Sequence, residues 1–168
     1  VSIKTRSGEQ LVSIDEQPGN ANMDKIRQLR PAFKKDGTVT AANSSSISDG
    51  AAALILMSES DALARGLTPL ARIVGHSTHA QKPAEFTIAP IGSIQKLLHN
   101  IGWSKEQVDL YEINEAFAVV TLLAIQELGL DAAKVNVNGG ACALGHPIGC
   151  SGARILVSLL YALQQQGK

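Results

Sequence analysis

The sequence predicts an α/β fold, and three observations carry that prediction. Short β-prone runs alternate with helical patterns along most of the chain. Two helical stretches are apolar almost all the way round, as helices are when they lie between other layers. A glycine-rich loop then runs straight into the second of these helices.

In chain order, the first thirty residues are polar and broken by Ser7-Gly8 and Pro18-Gly19-Asn20. Two short strands are expected around Ile3 and over Leu11–Ile14, then a short helix over Asp24–Leu29 running into Arg30-Pro31. Thr38–Ala42 leads into the polar run Asn43-Ser44-Ser45-Ser46, followed by Ser48-Asp49-Gly50 and the apolar stretch Ala51–Met57. A helix over Ser60–Arg65 stops at Gly66, and a strand spans Leu70–Val74. A further helix begins after Pro90, covers Ile91–Asn100 and ends at Gly102, before a strand over Leu110–Ile113. Residues 115–128 and 153–163 are the two all-round apolar helices, expected to be buried on every side. The chain is short for covering both faces of such a layer, so another domain or subunit is expected to complete it. No internal repeat occurs.

The 168 residues fit one ordinary domain. Lys+Arg and Asp+Glu balance at 15 each, so there is no electrostatic case for nucleic acid or an anionic membrane as partner. No apolar run reaches the length of a membrane span, and no signal-peptide pattern opens the chain. Cys142 and Cys150 have neither the number nor the spacing of a disulfide framework or a zinc site. The expectation is reduced thiols, a cytoplasmic location and no metal. The chain begins Val1-Ser2 without Met, as expected of a fragment or a processed product.

Chemistry concentrates in two places. Over residues 138–154, six glycines or prolines surround His146, and an apolar run follows. Glycine permits positive φ and close backbone approach, so this loop can hold one imidazole rigidly at a pocket mouth beside a helix N-terminus. A structural turn that happens to carry a histidine has the same composition. The second place is Asn114-Glu115-Ala116-Phe117-Ala118, where a strand gives way to a helix, the favoured position for ligands in α/β sheets. Asn114 is equally a natural N-cap, with Glu115 favourable to the helix dipole.

Taken together, the Asn-Glu-Ala-Phe-Ala and Gly-His-Pro-Ile-Gly-Cys-Ser-Gly segments resemble the C-terminal half of thiolases. So do Arg30-Pro31-Ala32-Phe33, the run Gly37–Ser45, and Asp49-Gly50-Ala51-Ala52-Ala53, in the family's order. The glycine-histidine segment alone would suit the related ketoacyl synthases as well. Those enzymes lack the Asn-Glu-Ala-Phe segment, so Asn114 discriminates.

The resemblance implies a layered α/β/α/β/α enzyme built from two similar halves, here mostly the C-terminal half without its last strands. It implies that residues 1–30 end a loop domain covering the active site, and that residues 31–168 are the truncated C-terminal domain. The reaction implied is Claisen condensation of two acetyl-CoA to acetoacetyl-CoA, and the reverse thiolysis. CoA and acetyl-CoA would be substrates, with no permanently bound cofactor, and the whole enzyme would be a homo-oligomer, dimer or tetramer.

By the same resemblance His146 donates to the thioester oxyanion and helps activate a nucleophilic cysteine. Asn114 holds a water that supplies the second hydrogen bond. Ala41 and Ser45 lie along the pantetheine arm, Ala116 and Phe117 line the tunnel near the thioester, and Phe86 falls near the acyl pocket. Both catalytic cysteines of the family lie outside these residues, so Cys142 and Cys150 are read as packing thiols and the chain alone is expected to be inactive. Ala42 and Ser46 stand where the family often has Gly. Cys150 stands where biosynthetic members often have Ala and degradative members often have Cys. The competing readings are a broad-chain 3-ketoacyl-CoA thiolase, a non-catalytic thiolase-like lipid-binding protein, and an assembly module.

Overall fold

The computed structural model describes all 168 residues. It opens on an antiparallel hairpin of β1 (Ser2–Thr5) and β2 (Gly8–Leu11), with Ser2 opposite Leu11 and Thr5 opposite Gly8. The two-residue turn Arg6-Ser7 fixes this register. The second strand therefore precedes the expected Leu11–Ile14 and shares only Leu11 with it. Asp15 then caps a one-turn helix α1 (Glu16–Asn20), its side chain accepting from the Gln17 N–H. The expected breaker Pro18 lies inside α1. In so short a helix Pro18 sits in the first turn, where its missing N–H would have had no helical partner. Asn22 caps a 3₁₀ segment, Met23–Gln28, in place of the α-helix expected over Asp24–Leu29.

Ser58 caps α2 (Glu59–Ala64). Pro90 stands in the first turn of α3 (Ala89–Ile101), which ends at Gly102. After α3 come α4 (Ala118–Leu128), the single turn α5 (Ala141–Leu144), and α6 (Ser151–Gln165). The core is a cluster of Ile113, Val120, Ala124 and Val135. Ile91 and Ile94 of α3, with Tyr111 and Phe117, pack against it.

Two expectations about layers need correcting. The stretches Leu70–Val74 and Leu110–Ile113 form no ladder, and the hairpin is the only regular sheet. Strand structure requires a neighbour to bond. Within this chain only Tyr111 finds one, in a single parallel bridge to Val135 made by Tyr111 N–H to Lys134 O and Asn136 N–H to Tyr111 O. The two apolar helices are also not buried on every side. On α4, Val120, Thr121 and Ala124 are buried while Leu122 is 62% exposed, and on α6 Leu156 is 48% exposed. The chain is mixed helix and strand, and its own residues leave the outer faces of α4 and α6 uncovered.

Candidate functional site

The site is built from the segment between Tyr111 and α4 and from the loop between Val135 and α6. The first does not begin the helix at Glu115. Helix α4 starts three residues later, because residues 114–117 are engaged elsewhere. The Ala116 carbonyl accepts both the N–H and the Oγ–H of Ser45, at 3.2 and 2.9 Å, and Phe117 bridges to Ser44. Phe117 occupies the N-cap position without a side-chain cap bond. Asn114 therefore caps nothing, and its side chain is free for other work.

Glu115 serves the loop rather than the helix dipole. Its carboxylate accepts from Asn136 Nδ2 at 2.9 Å and from the Cys142 N–H at 3.1 Å. Gly140 lies against that carboxylate so closely that a Cβ would overlap it. Asn136 is buried at φ 47°, an uncommon conformation for a residue other than glycine. Its side chain also accepts from the Ile113 N–H and donates to the Ile113 carbonyl, both at 2.8 Å. This clip ties the two motif segments together. At the far end of the loop Gly145 adopts φ 85°, with Ser48 where a Cβ would stand. The following His146 N–H donates to Ser46 O at 2.8 Å.

These constraints bring Asn114 and His146 together. Asn114 Nδ2 stands 3.3 Å from His146 Nε2, across 32 positions of sequence. The other ring nitrogen, Nδ1, is 2.6 Å from Ser151 Oγ, and that hydroxyl donates to Pro147 O at 3.1 Å. Asn114 Oδ1 is buried with no hydrogen-bond partner.

Asn114 also lines a cleft of about 460 Å³, together with Phe86, Ile94, Glu112, Ala116 and Val120. The Phe117 ring lies 5.8 Å from that of Phe33 and 6.0 Å from that of Phe86. Ser45 is half-buried with its hydroxyl proton committed to Ala116, so only its lone pairs can meet an amide N–H. Ala41 is exposed in a 3₁₀ turn capped by Thr40. Glu112 is 4% exposed and 3.6 Å from Arg154 Nη1, and burial raises its carboxyl above the usual range although the guanidinium opposes the shift. Burial first, and then the Glu115 carboxylate, push the Cys142 thiol up to about 11. Cys150 Sγ packs beside Gly50.

Sequence patterning missed Ser151 and Asn136. Ser151 had a signal, a hydroxyl at the first helical position five residues after the histidine. Asn136 had only the tolerance of Asn for positive φ.

No group of three or more His, Cys, Asp or Glu side chains comes together as a metal site, and no helix is long and apolar enough to cross a membrane. The family model for the thiolase C-terminal domain matches residues 67–168, and the model for the thiolase N-terminal domain matches residues 1–60. The Escherichia coli acetyl-CoA acetyltransferase is 52% identical, with 100% of this chain and 43% of that protein covered. Among solved structures, the Bacillus anthracis acetyl-CoA acetyltransferase is 51% identical with a TM-score of 0.91, covering 99% of this chain and 42% of that one. Human mitochondrial 3-ketoacyl-CoA thiolase is 41% identical with a TM-score of 0.85, again over 99% and 42%. The chain thus spans about two-fifths of the length of the relatives it matches. With both family models matched in order and the paired Asn114 and His146 segments held in one place, the chain belongs to the thiolase family.

Proposed function

We propose that this chain carries the enolate-stabilising side of an acetyl-CoA acetyltransferase. That enzyme joins two acetyl-CoA into acetoacetyl-CoA and free CoA, and runs the reverse thiolysis. The observation that carries the reading is the 3.3 Å approach of the Asn114 carboxamide to His146 Nε2 beside a cleft.

In this reading a cysteine from the rest of the complete enzyme takes the first acetyl group as a thioester, which divides one difficult step into two. His146 Nε2 accepts the proton of that thiol. Removal of an α-proton from the second acetyl-CoA puts negative charge on its thioester oxygen. A protonated Nε2 and a water held by Asn114 donate to that oxygen from fixed positions, so no reorganisation is needed as charge develops. The partnerless Asn114 Oδ1 supports the water's place, since it offers an acceptor at the same spot. Ala41, Ser45, Ala116 and Phe117 border the pantetheine arm, with Ser45 accepting from an amide. Residues 1–30 end the loop domain and residues 31–168 form the C-terminal domain of a cytoplasmic homo-oligomer.

The test is His146→Ala in the complete enzyme. Turnover should fall roughly 100- to 1000-fold, the scale of a lost oxyanion donor, with CoA affinity changed far less. Equal losses in turnover and affinity would overturn the role. The likeness to 3-ketoacyl-CoA thiolase supports a second reading, activity on longer chains. Phe86 lines the cleft, with the Phe117 ring 6.0 Å from it, and this bulk favours the short substrate. Rates on acetoacetyl-CoA against longer 3-ketoacyl-CoAs decide between them.

A further inference from the structure

We infer that Ser151 is a positioning residue that holds His146 with its proton on Nδ1, so that Nε2 presents a lone pair toward Asn114 and the reacting centre. The inference rests on the role proposed above for His146 and concerns how that role is prepared.

The argument is one of hydrogen-bond direction. A serine hydroxyl has one proton and two lone pairs. Pro147 O, 3.1 Å from Ser151 Oγ, is a carbonyl and can only accept. A back-bond to the carbonyl four residues earlier is one of the local patterns open to a serine hydroxyl. With the hydroxyl proton directed there, the face of Oγ toward the ring carries a lone pair. The atom 2.6 Å away on that face is His146 Nδ1, which must then carry hydrogen. A neutral imidazole bears only one N–H, so Nε2 is unprotonated. The far side of the ring agrees, because the group facing Nε2 at 3.3 Å is Asn114 Nδ2, a donor. Donation therefore runs in one sense on each side of the ring. Asn114 gives to Nε2, Nδ1 gives to Ser151, and Ser151 gives to Pro147.

The geometry is held on both sides. Ser151 is 5% exposed and sits in the first turn of α6, and the His146 backbone is pinned to Ser46. The consequence is chemical. An imidazole with a bare Nε2 begins as a base and can take a thiol proton. Once it has done so, the same nitrogen is the N–H donor that an oxyanion needs. The opposite tautomer would begin as a donor and could not accept that proton.

The experiment is a solid-state ¹⁵N spectrum of the histidine-labelled complete enzyme, with the His146 signals assigned through His146→Asn and recorded while the ring is neutral. A protonated Nδ1 and a bare Nε2 are expected. Ser151→Ala should move the proton to Nε2, because a buried Nδ1–H would otherwise have no acceptor. A wild-type proton on Nε2, or a tautomer unchanged in Ser151→Ala, overturns the inference. In the kinetic arm, Ser151→Ala should lower kcat roughly 10- to 100-fold with KM for acetyl-CoA nearly unchanged, and Ser151→Thr should restore most of it. Equal losses in the Ala and Thr variants would indicate packing alone and would also overturn it. If instead His146→Asn keeps full turnover, the proposed function fails while the spectrum still reports the tautomer.

Discussion

At Cys142, burial and the neighbouring Glu115 carboxylate act on one thiol in the same direction. Both disfavour the thiolate, raising the group from its ordinary 9.0 to about 11. The folded protein therefore holds this proton more tightly than the unfolded chain does. Its contribution to stability is complete below the ordinary value and is lost as pH rises through about 11. Two results follow for the complete enzyme. Iodoacetamide should leave Cys142 largely unmodified at neutral pH, as mass spectrometry of the peptide would show. In Cys142→Ala, the fall in melting temperature between pH 9 and pH 11 should be shallower than in the parent. A Cys142 alkylated at neutral pH as fast as a free thiol would contradict the described surroundings. The family resemblance makes Cys142 a packing thiol by leaving it outside the catalytic contexts. The Glu115 carboxylate stands beside it, where a reactive thiol would need a cation. Asn114 teaches the converse. By local rules it is a cap, and the structure shows otherwise: Phe117 holds the N-cap position of α4, and Asn114 faces a residue 32 positions away.

At the scale of elements, what was legible divides by range. Helices α2, α3, α4 and α6 were legible because apolar spacing, Gly66, Pro90 and Gly102 are local signals. Their starts were not always legible. Helix α4 begins late because Ser44 and Ser45, some seventy positions earlier, take up the backbone of Ala116 and Phe117. The strands failed for a related reason, since a β-prone run shows itself as a strand only when a partner lies beside it. Of the site, Asn114 and His146 were legible from the motif segments, and Asn136 was not, because its work is to join two loops. That work can be tested by Asn136→Ala in the complete enzyme. The change leaves the buried Ile113 N–H and carbonyl without their partners. Each such group costs about 1–3 kcal/mol, so amides of residues 138–146 should exchange hydrogen at least about tenfold faster. Exchange at the parent rate would show that the clip is dispensable.

The whole molecule is short of interior. Only 13 of its 168 residues are buried, and its accessible surface is 12530 Å². A folded monomer of this mass exposes about 7,900 Å² by the usual scaling, so roughly 4,600 Å² is in excess. That excess lies on one chain alone and exceeds the share of about 2,500 Å² that each partner gives to the largest permanent interfaces, which bury about 5,000 Å² in total. Its character is apolar where it matters: Ile55, Ile73, Leu122, Leu156 and Tyr161 are each about half exposed or more. The apolar pattern of residues 115–128 and 153–163 leads to an expectation of burial on every side, with another domain or subunit as the cover, and within this chain Leu122 and Leu156 stand exposed instead. A chain with so much uncovered apolar area should bind a hydrophobic dye strongly and melt over a broad range. The 168 residues expressed alone should therefore enhance anilinonaphthalene sulfonate fluorescence, and should show no thiolysis of acetoacetyl-CoA above background. The complete enzyme should show neither the dye signal nor the broad melt. A sharp, dye-free transition for the 168 residues alone would mean that the exposed faces of α4 and α6 find cover within the chain, and the need for further layers over them, which the family resemblance implies, would fall with it.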